Sequence, residues 1–316
     1  MAICTFTIER WDHLIAAVAA VRAQEPPPDE VLVVLDHAPE LAVRSTALPG
    51  VRVVENTGPR GLSSARNRAI EAASGEIIVF LDDDAAPREG WLDALLSAFE
   101  DPLVLAAGGR AEPGWEGGRP RWFPHEFDWV VGCSYRGQPT MAGDVRNLLG
   151  SNMGFRRELF GSIGGFRQDL GRVGSRPIGG EETELCIRLR SARPESSIRY
   201  LPEASVLHHV PRSRTTLRYF LARCWSEGIS KARVARVVGP ELGLAVERRH
   251  TLRTLPSGAL RALAETITRR DPFGPLRAAA IVIGLTTTAA GYARGRIARG
   301  AVSPAPMLTL DDHAAG

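Results

Sequence analysis

One apolar segment of the sequence ends in three consecutive carboxylates. Residues 76–81 read EIIVFL, and Asp82, Asp83 and Asp84 follow them. The β-branched and aromatic residues predict a buried strand, whereas three adjacent like charges repel one another and resist burial. A cation would offset that repulsion, and carboxylate oxygens suit Mg²⁺ or Mn²⁺, which also bind substrate phosphates. The run is therefore either a metal site for a phosphate-bearing substrate or an aspartate-rich turn that caps the next helix.

A second acidic cluster follows a pair of glycines. Glu181, Glu182 and Glu184 lie at the start of a helix predicted over 181–192. Carboxylates at a helix N-terminus are stabilised by the helix dipole, so one interpretation is a simple cap. The alternative is a general base held at the end of a flexible glycine loop. Glu184 and Arg188 stand four residues apart, which favours an ion pair on the helix surface.

The elements that must position these acids alternate between strands and helices. Apolar runs predict strands at 3–7, 31–36, 51–56 and 76–82. Helices are predicted at 12–24 and at 87–100. A further helix is predicted after a glycine-rich turn, with Ser63 or Ser64 as its cap. Apolar strands separated by helices indicate an α/β fold, with a mainly parallel sheet flanked by helices. Ligands bind such sheets beyond the carboxyl ends of the strands, where Asp36 and the three aspartates lie.

The middle of the chain is less regular. Residues 108–143 are rich in Gly, Pro and Trp, and they predict an irregular insertion over the site. A further strand is predicted at 198–209, ending in His208 and His209, and a long helix at 215–239. The two histidines are either ligands of the site or packing residues at a strand end.

The composition is that of an ordinary soluble globular protein. Of the 316 residues, 44% are hydrophobic and 24% are charged, and a net charge of +3 gives no argument for nucleic-acid binding. All but one of the 39 basic residues are arginine, which together with many alanines indicates a GC-rich, bacterial genome. The four cysteines are far apart and form no CxxC pair, so neither a zinc site nor a disulfide framework is indicated. We read no secretory leader and expect a cytoplasmic protein.

The order of five segments carries a resemblance to a known family. They are ICTFTIER, VLVVLDH, GPRGLSSARNRAIEAASGEIIVFLDDDAAP, GSNMGFRRELF and GGEETELCIRL. Together they resemble the inverting family 2 glycosyltransferases, over residues 3–209. The resemblance implies a GT-A fold, which is Rossmann-like, and a reaction that uses a nucleotide-diphosphate sugar.

The resemblance also implies which positions bind the donor. These are Thr5 and Arg10 beside the nucleotide base, Asp36 at a uracil ring, Arg66 near the base and diphosphate, Asp82 and Asp83 in the aspartate motif, and Asn152 and Met153 in the donor-sugar pocket. UDP-sugar is the donor that this pattern favours.

For the chemistry, the resemblance implies a metal and a base. Asp82 and Asp84 match the DxD motif that holds Mg²⁺ or Mn²⁺, and His208 or His209 could join the metal or touch the diphosphate. Glu182 stands where the family usually has the aspartate of a Glu-Asp pair, which takes the proton of the acceptor hydroxyl. Because the side chain is longer here, Glu181 and Glu182 both remain candidates for the base.

The function that follows is metal-dependent, inverting transfer of one sugar to an acceptor hydroxyl. The acceptor could belong to a cell-surface glycan, a polyprenyl-linked glycan or a secondary metabolite. The segment LARCWSEG lacks the glutamine of the processive synthases' QxxRW motif, so a non-processive enzyme is expected. One alternative is a non-catalytic module that binds sugar nucleotides or glycans. Another is a nucleotidyltransferase, which would need a lysine-rich loop to bind phosphate, whereas the whole chain has one lysine, Lys231.

The C-terminal third is predicted to be helical. We divide the chain into a catalytic domain over 1–212, a helical region over 213–300 and a disordered tail over 301–316. The uncharged run 278–293, between Arg277 and Arg294, is shorter than the roughly 18 residues of a membrane-spanning helix. With its flanking arginines it indicates peripheral contact with the inner face of a membrane, or else packing on the catalytic domain.

Overall fold

The protein is described here by a computed structural model, which covers residues 1–174, 178–298 and 305–308. The chain forms two compact units. The first comprises Met1–Glu112, Thr140–His208 and Val302–Gly316, and the second comprises Pro113–Pro139 and His209–Ala301. Most of the segment predicted as an insertion therefore belongs with the C-terminal helices, and not with the domain predicted over 1–212.

A nine-stranded sheet forms the centre of the first unit. Its strands are β1 (Ala2–Thr5), β2 (Leu32–Leu35), β3 (Arg52–Glu55), β4 (Ile77–Asp82), β5 (Ala85–Pro87), β6 (Val104–Trp115), β7 (Gly143–Asp144), β8 (Asn152–Arg156) and β9 (Ser197–Val210). The order is β3-β2-β1-β4-β8-β6-β9-β5, with β7 also paired to β9. The last residues of β6 and β9 belong to the second unit.

The sheet is mixed. Strands β3, β2, β1 and β4 are parallel, as the alternating pattern predicts. The pairs β4–β8, β6–β8, β5–β9 and β7–β9 are antiparallel. The parallel half thus carries the carboxyl ends on which the predicted site depends, and the antiparallel half adds β9 and its histidines.

Helices cover both faces of this sheet. They are α1 (Trp11–Arg22), α2 (Pro39–Thr46), α3 (Leu62–Ala72), α4 (Trp91–Ala98), α5 (Leu159–Ile163) and α6 (Glu181–Ala192). Alternate strand residues enter two separate cores, since neighbouring side chains in a strand point to opposite faces. Val33 and Leu81 pack with α1 and α4, whereas Val34 and Phe80 pack with α3 and α6.

Two local predictions differ from the structure. Helix α3 begins at Leu62 after Gly61, so Ser63 and Ser64 lie in its first turn and do not cap it. The region predicted to be irregular from 108 begins as a strand, because β6 continues to Trp115. A short 3-10 helix, His125–Val131, follows it. Part of this region, rich in glycine, proline and tryptophan, is therefore the end of a strand, where the sequence pattern indicated a loop.

The second unit consists mainly of helices. They are α7 (Leu217–Val238), α8 (Pro240–Gly243), α9 (Ala245–Arg249), α10 (Leu255–Thr268) and α11 (Gly274–Ile297), with short 3-10 and π turns at Arg212–Thr215 and His250–Thr254. The apolar run 278–293 lies inside α11. Within the part of the chain that the structure describes, α11 is the one helix whose length and composition would allow it to cross a membrane.

Part of the predicted tail is described. Leu308 is buried in the core of the first unit, and the backbone N–H of Gly165 donates to the carbonyl of Pro306 at 2.8 Å. Residues 305–308 are thus held by packing and by the backbone. The rest of the predicted disordered tail, 301–304 and 309–316, lies outside the described residues.

Candidate functional site

A cleft opens at the carboxyl ends of the parallel strands. Its walls come from the ends of β1, β2 and β4, from the start of α3 and from the segment before α6. The lining residues are Cys4, Thr5, Phe6, Arg10, Asp36, Leu62, Ala65, Asp82, Asp83, Arg172 and Gly174. Five predicted donor-binding positions, Thr5, Arg10, Asp36, Asp82 and Asp83, therefore share one cleft, as the rule for parallel sheets requires.

The middle aspartate of the run is held by two side chains of the N-terminal segment. The hydroxyl of Thr5 donates to Asp83 Oδ2 at 2.7 Å, and Arg10 Nη1 donates to Asp83 Oδ1 at 2.6 Å. Burial and the neighbouring charge of Asp84 raise the pKa of Asp83 to about 6, against the opposing effect of Arg10 and Thr5. Asp83 thus fixes Arg10 at the cleft wall, a role that motif reasoning did not identify.

The two outer aspartates meet a histidine. Ala85 of β5 pairs with His208 of β9, and this register places the imidazole beside the turn that carries the aspartates. His208 Nε2 lies 3.3 Å from Asp84 Oδ1 and 3.7 Å from Asp82 Oδ2. The three side chains each offer a ligand atom, and these atoms lie within 4.8 Å of one another. Asp82, Asp84 and His208 therefore form a candidate metal site.

The other predicted histidine does not join this group. His208 is buried, and the next residue of β9, His209, points to the opposite face because side chains alternate along a strand. Among the residues that the structure describes, the candidate metal site includes His208 and does not include His209. Two adjacent histidines gave no signal for choosing between them, since the choice depends on the register of β9.

A buried arginine connects the aspartate turn with the start of α6. Arg66 Nη1 lies 2.7 Å from Glu181 Oε1, and its Nη2 lies 3.7 Å from Asp82 Oδ1. Nη2 also donates to the carbonyl of Gly150 at 2.8 Å. Burial alone would lower the pKa of Arg66, but the charges of Glu181 and Asp82 outweigh it and raise the pKa. Arg66 is therefore fully charged and fixed in place.

Asp82 is ionised for related reasons. Burial alone would raise the pKa of Asp82, but the hydrogen bond and charge of His208 and the charges of Arg66 and Arg172 hold it below its ordinary value. A carboxylate that stays ionised is suited to ligate a cation at any physiological pH. Its side chain is partly exposed and lines the cleft, so it is accessible to a ligand there.

The two glutamates at the start of α6 have different surroundings. Helix α6 follows Gly180, whose φ of +101° favours glycine. Glu181 is buried, and its carboxylate accepts from Arg66 at 2.7 Å. Glu182 is partly exposed, and the hydroxyl of Thr183 donates to its Oε1 at 3.1 Å. The acidic start of the helix is thus divided into a buried ion-pair member and a more accessible carboxylate.

Asp36 organises the loop that precedes α3. Its carboxylate accepts hydrogen bonds from the backbone N–H of Gly61 at 3.0 Å and from Asn56 Nδ2 at 2.8 Å. Gly61 has a φ of +141°, and a Cβ at this position would lie only 3.1 Å from Val173. The predicted uracil contact of Asp36 stays a prediction, and the structure adds a second role in holding this loop.

Two predicted donor-sugar residues lie in the core. Asn152 and Met153 are both 0% exposed. The indole N–H of Trp91 donates to Asn152 Oδ1 at 2.9 Å, and Asn152 Nδ2 donates to the carbonyl of Ala204 at 2.8 Å. Met153 packs in the core between the sheet and α3. Both side chains are thus engaged inside the fold, and their predicted contact with the donor sugar stays a prediction.

Sequence reasoning missed several members of the cleft wall, among them Arg172 and Cys4. Arg172 contributes positive charge toward Asp82, and its carbonyl accepts from the backbone N–H of Leu62 at 2.9 Å. It belongs to no motif, so only the fold brings it to the cleft. Cys4 also lines the cleft, and burial raises the pKa of its thiol to about 12. Its place at the end of β1 was the available signal, since the ends of β1, β2 and β4 all line this cleft.

Comparison with known proteins identifies the family. Residues 2–164 match the family described as Glycosyl transferase family 2. The chain belongs to glycosyl transferase family 2. Among curated proteins, this family 2 glycosyltransferase is similar to the glucosyl-dolichyl phosphate glucuronosyltransferase of Haloferax volcanii. The two are 32% identical over 246 residues, which are 76% of this chain and 78% of that protein.

Solved structures support the same fold. A mannosyltransferase from Pyrobaculum calidifontis, in complex with GDP-Man and Mn²⁺, matches with a TM-score of 0.54 and 18% identity, over 91% of this chain and 86% of that one. The structure of GalNAc-T7 with UDP, GalNAc and Mn²⁺ matches with a TM-score of 0.52 and 14% identity, over 86% of this chain and 58% of that one. The predicted GT-A fold is confirmed, and so is the prediction of a glycosyltransferase that uses nucleotide sugars.

Proposed function

We propose that this enzyme transfers one sugar from a nucleotide-diphosphate sugar to an acceptor hydroxyl, with inversion and with a divalent cation. The observation that carries the proposal is the grouping of Asp82, Asp84 and His208 at a cleft that also presents Arg10. Asp82 lines the cleft and also belongs to the candidate metal site. A guanidinium and a cation site side by side suit a diphosphate, which carries several negative charges.

The donor atoms fit a particular metal. Two carboxylates and one imidazole, with ligand atoms within 4.8 Å of one another, are a suitable set for a small divalent cation. Mg²⁺ prefers oxygen ligands, whereas imidazole suits transition metals better, so the presence of His208 favours Mn²⁺ over Mg²⁺. When bound there, the cation would supply charge that stabilises the diphosphate leaving group.

The base that we propose is Glu182. In a single displacement, the acceptor hydroxyl gives its proton to this carboxylate while its oxygen bonds to the anomeric carbon. The bond from that carbon to the diphosphate breaks at the same time, so the configuration inverts and a nucleoside diphosphate leaves. Glu181 is engaged with Arg66 at 2.7 Å and is buried, so an acceptor hydroxyl has less access to it. The more accessible Glu182 suits the task better.

The curated relative that matches most of this chain's length among those reported suggests an acceptor class. That Haloferax protein is named for glucosyl-dolichyl phosphate, a sugar carried on a polyprenyl phosphate, and it matches three quarters of this chain. We therefore propose a sugar on a polyprenyl phosphate as acceptor, and a UDP-sugar as donor. All four cysteines are free. Free thiols fit the reducing cytoplasm, where we place the enzyme.

The test is a screen by release of free nucleotide. Purified enzyme with Mn²⁺ is offered UDP-glucose, UDP-glucuronic acid, UDP-N-acetylglucosamine and GDP-mannose, each with and without a glucosylated polyprenyl phosphate. We expect one UDP-sugar to give nucleotide release that depends on the lipid-linked acceptor and is lost with EDTA. Asp84→Asn should abolish this release, while Asp93→Asn, at an exposed position of α4, should leave it unchanged.

Three outcomes would contradict different parts of the proposal. Release that persists in EDTA would refute the metal requirement. Transfer to a free sugar or a small metabolite, but not to the lipid-linked sugar, would refute the acceptor class. Activity of Asp84→Asn equal to that of the native enzyme would remove the candidate metal site from the reaction.

A further inference from the structure

Helix α10 exposes a row of large apolar side chains. Leu260, Leu263 and Ile267 lie at spacings of three and four, so they share one face of the helix, and Leu252 continues this row in the preceding turn. Leu260 is 69% exposed and Ile267 is 83% exposed. The opposite side of the helix, with Leu255, is buried. A soluble helix rarely leaves so many large apolar groups in water without a binding partner.

Helix α11 also exposes large apolar side chains. It follows α10 after a short turn, and Leu276, Val282, Ile283 and Ile297 are all exposed along it. The exposed positions between residues 278 and 293 carry no charge, because the whole run is uncharged. We call the exposed apolar rows of the two helices the α10–α11 face.

The other side of α11 is occupied along its length. Gly228 of α7 faces the α11 backbone so closely that a Cβ would overlap it, and Gly291 of α11 faces α7 in the same way. A Cβ at Gly295 would lie 2.7 Å from Ala232 of α7. Arg236 of α7 donates to the carbonyl of Gly295 at 2.8 Å. The two helices are thus joined by backbone contact.

This packing argues against a membrane-spanning α11. Lys231 of α7 forms ion pairs with Glu227 at 3.3 Å and with Glu247 at 2.7 Å. If α11 crossed a bilayer, it would either lose its contacts with α7 or draw these charged groups into the hydrocarbon, and both are costly. A helix with one packed side and one exposed apolar side is instead typical of a segment that lies in the plane of the interface.

Basic residues complete the pattern. Arg253, Arg269, Arg270, Arg294 and Arg296 are all exposed, at the ends of α10 and α11. The acidic groups of this turn are already paired, since Arg277 lies 2.9 Å from Glu265 and 2.8 Å from Asp271. Exposed arginines beside an uncharged apolar face are complementary to negatively charged head groups over acyl chains.

We propose that the α10–α11 face docks in the plane of a bilayer that contains anionic phospholipids, with its apolar rows inserted and its arginines at the head groups. Docking needs no turnover, so it is tested separately from the proposed reaction. The probe is the full chain with vesicles of phosphatidylcholine, with or without phosphatidylglycerol. We expect sedimentation with the anionic vesicles only, weakened by added salt.

Two pairs of variants test the face itself. Leu260→Glu with Ile267→Glu should reduce binding more than tenfold, because two inserted apolar side chains are lost. Val43→Glu places the same change on α2 at an apolar position that is 82% exposed, and it should bind normally. Arg269→Gln with Arg296→Gln should reduce binding about twenty-five-fold, since each arginine near an anionic surface contributes about fivefold. Arg44→Gln, exposed on α2, is the matched control.

The outcomes separate docking from its alternatives. Release of the bound protein by alkaline carbonate supports in-plane docking, whereas resistance to carbonate would mean that α11 spans the bilayer and would overturn the inference. If the native chain does not sediment with vesicles but forms a dimer that Leu260→Glu with Ile267→Glu dissociates, the face binds a second copy and the inference is wrong. Circular dichroism of each variant confirms that a loss of binding is not a loss of fold.

Discussion

Glu181→Gln and Glu182→Gln should damage the enzyme in different ways. Both substitutions remove one charge and keep the size of the side chain. Glu181 is buried and lies 2.7 Å from Arg66, which is itself buried. Glu182 is partly exposed at the same helix start. We therefore expect Glu181→Gln to reduce mainly stability and Glu182→Gln to reduce mainly the rate of transfer.

The structure sets the expected magnitudes. Removing one charge of a buried ion pair leaves the other charge uncompensated, which lowers the free energy of unfolding by about 3 kcal/mol. We take the lower end of the usual range because glutamine can still accept a hydrogen bond. In a domain of this size such a loss lowers the thermal midpoint by about 6 °C or more. Removing a general base lowers the rate of the chemical step by about a hundredfold or more.

Glu184→Gln is the matched control. Glu184 is equally buried on α6 and pairs with Arg188 through two contacts of 2.9 Å, outside the cleft. This substitution should lower the thermal midpoint like Glu181→Gln and leave single-turnover transfer unchanged. Glu182→Gln should show the reverse, with native donor binding by calorimetry.

Each variant is measured by thermal unfolding and by single-turnover transfer. If Glu182→Gln transfers at the native rate, it is not the base. If Glu181→Gln alone is inactive while its donor affinity and thermal midpoint are native, the base is Glu181 and the assignment is wrong by one residue. If both transfer normally, the acidic start of α6 serves only as a helix cap and an ion-pair partner.

Three further results are expected at the cleft. His208→Ala should weaken Mn²⁺ binding more than Mg²⁺ binding in calorimetric titrations, because an imidazole ligand suits Mn²⁺ better; equal losses would contradict its role as a ligand. Cys4 should react with iodoacetamide at neutral pH far more slowly in the folded enzyme than after unfolding, because burial raises the pKa of its thiol to about 12. Labelling is followed by mass spectrometry, and rapid labelling of the folded enzyme would contradict the prediction. Asp36→Ala should weaken UDP binding about tenfold, the usual scale of one hydrogen bond to a charged group, with Mn²⁺ affinity unchanged; an unchanged dissociation constant for UDP would count against a base contact.

The parallel half of the fold could be predicted because its signal is local. The apolar runs before Asp36 and Asp82 are continuous, and each ends at the residue where the strand leaves the core. Strand polarity then places both aspartates at the same edge of the sheet without any knowledge of contacts. The predicted cleft follows from that edge alone, and the residues of the aspartate run were found for the same reason.

The parts that could not be predicted depend on pairing between distant strands. His208 meets the aspartates only because β9 pairs with β5 in one particular register, and a shift of one residue would have presented His209. Asn152 and Met153 are predicted by resemblance to contact the donor sugar, and the antiparallel pairing of β8 with β4 buries both. Family resemblance locates a segment, but the strand register decides which side chains of that segment face the cleft.

The charges around the aspartate run explain how three adjacent carboxylates can be kept near a core. Arg10 is shared between Asp83 and Asp84, at 2.6 and 3.2 Å, and Arg66 is shared between Asp82 and Glu181. Arg172 and His208 also contribute positive charge toward Asp82. Together these groups offset the repulsion within the run, and a divalent cation held by Asp82, Asp84 and His208 would offset it further. We therefore expect Mn²⁺ to raise the thermal midpoint of the native enzyme and to leave that of Asp84→Asn unchanged.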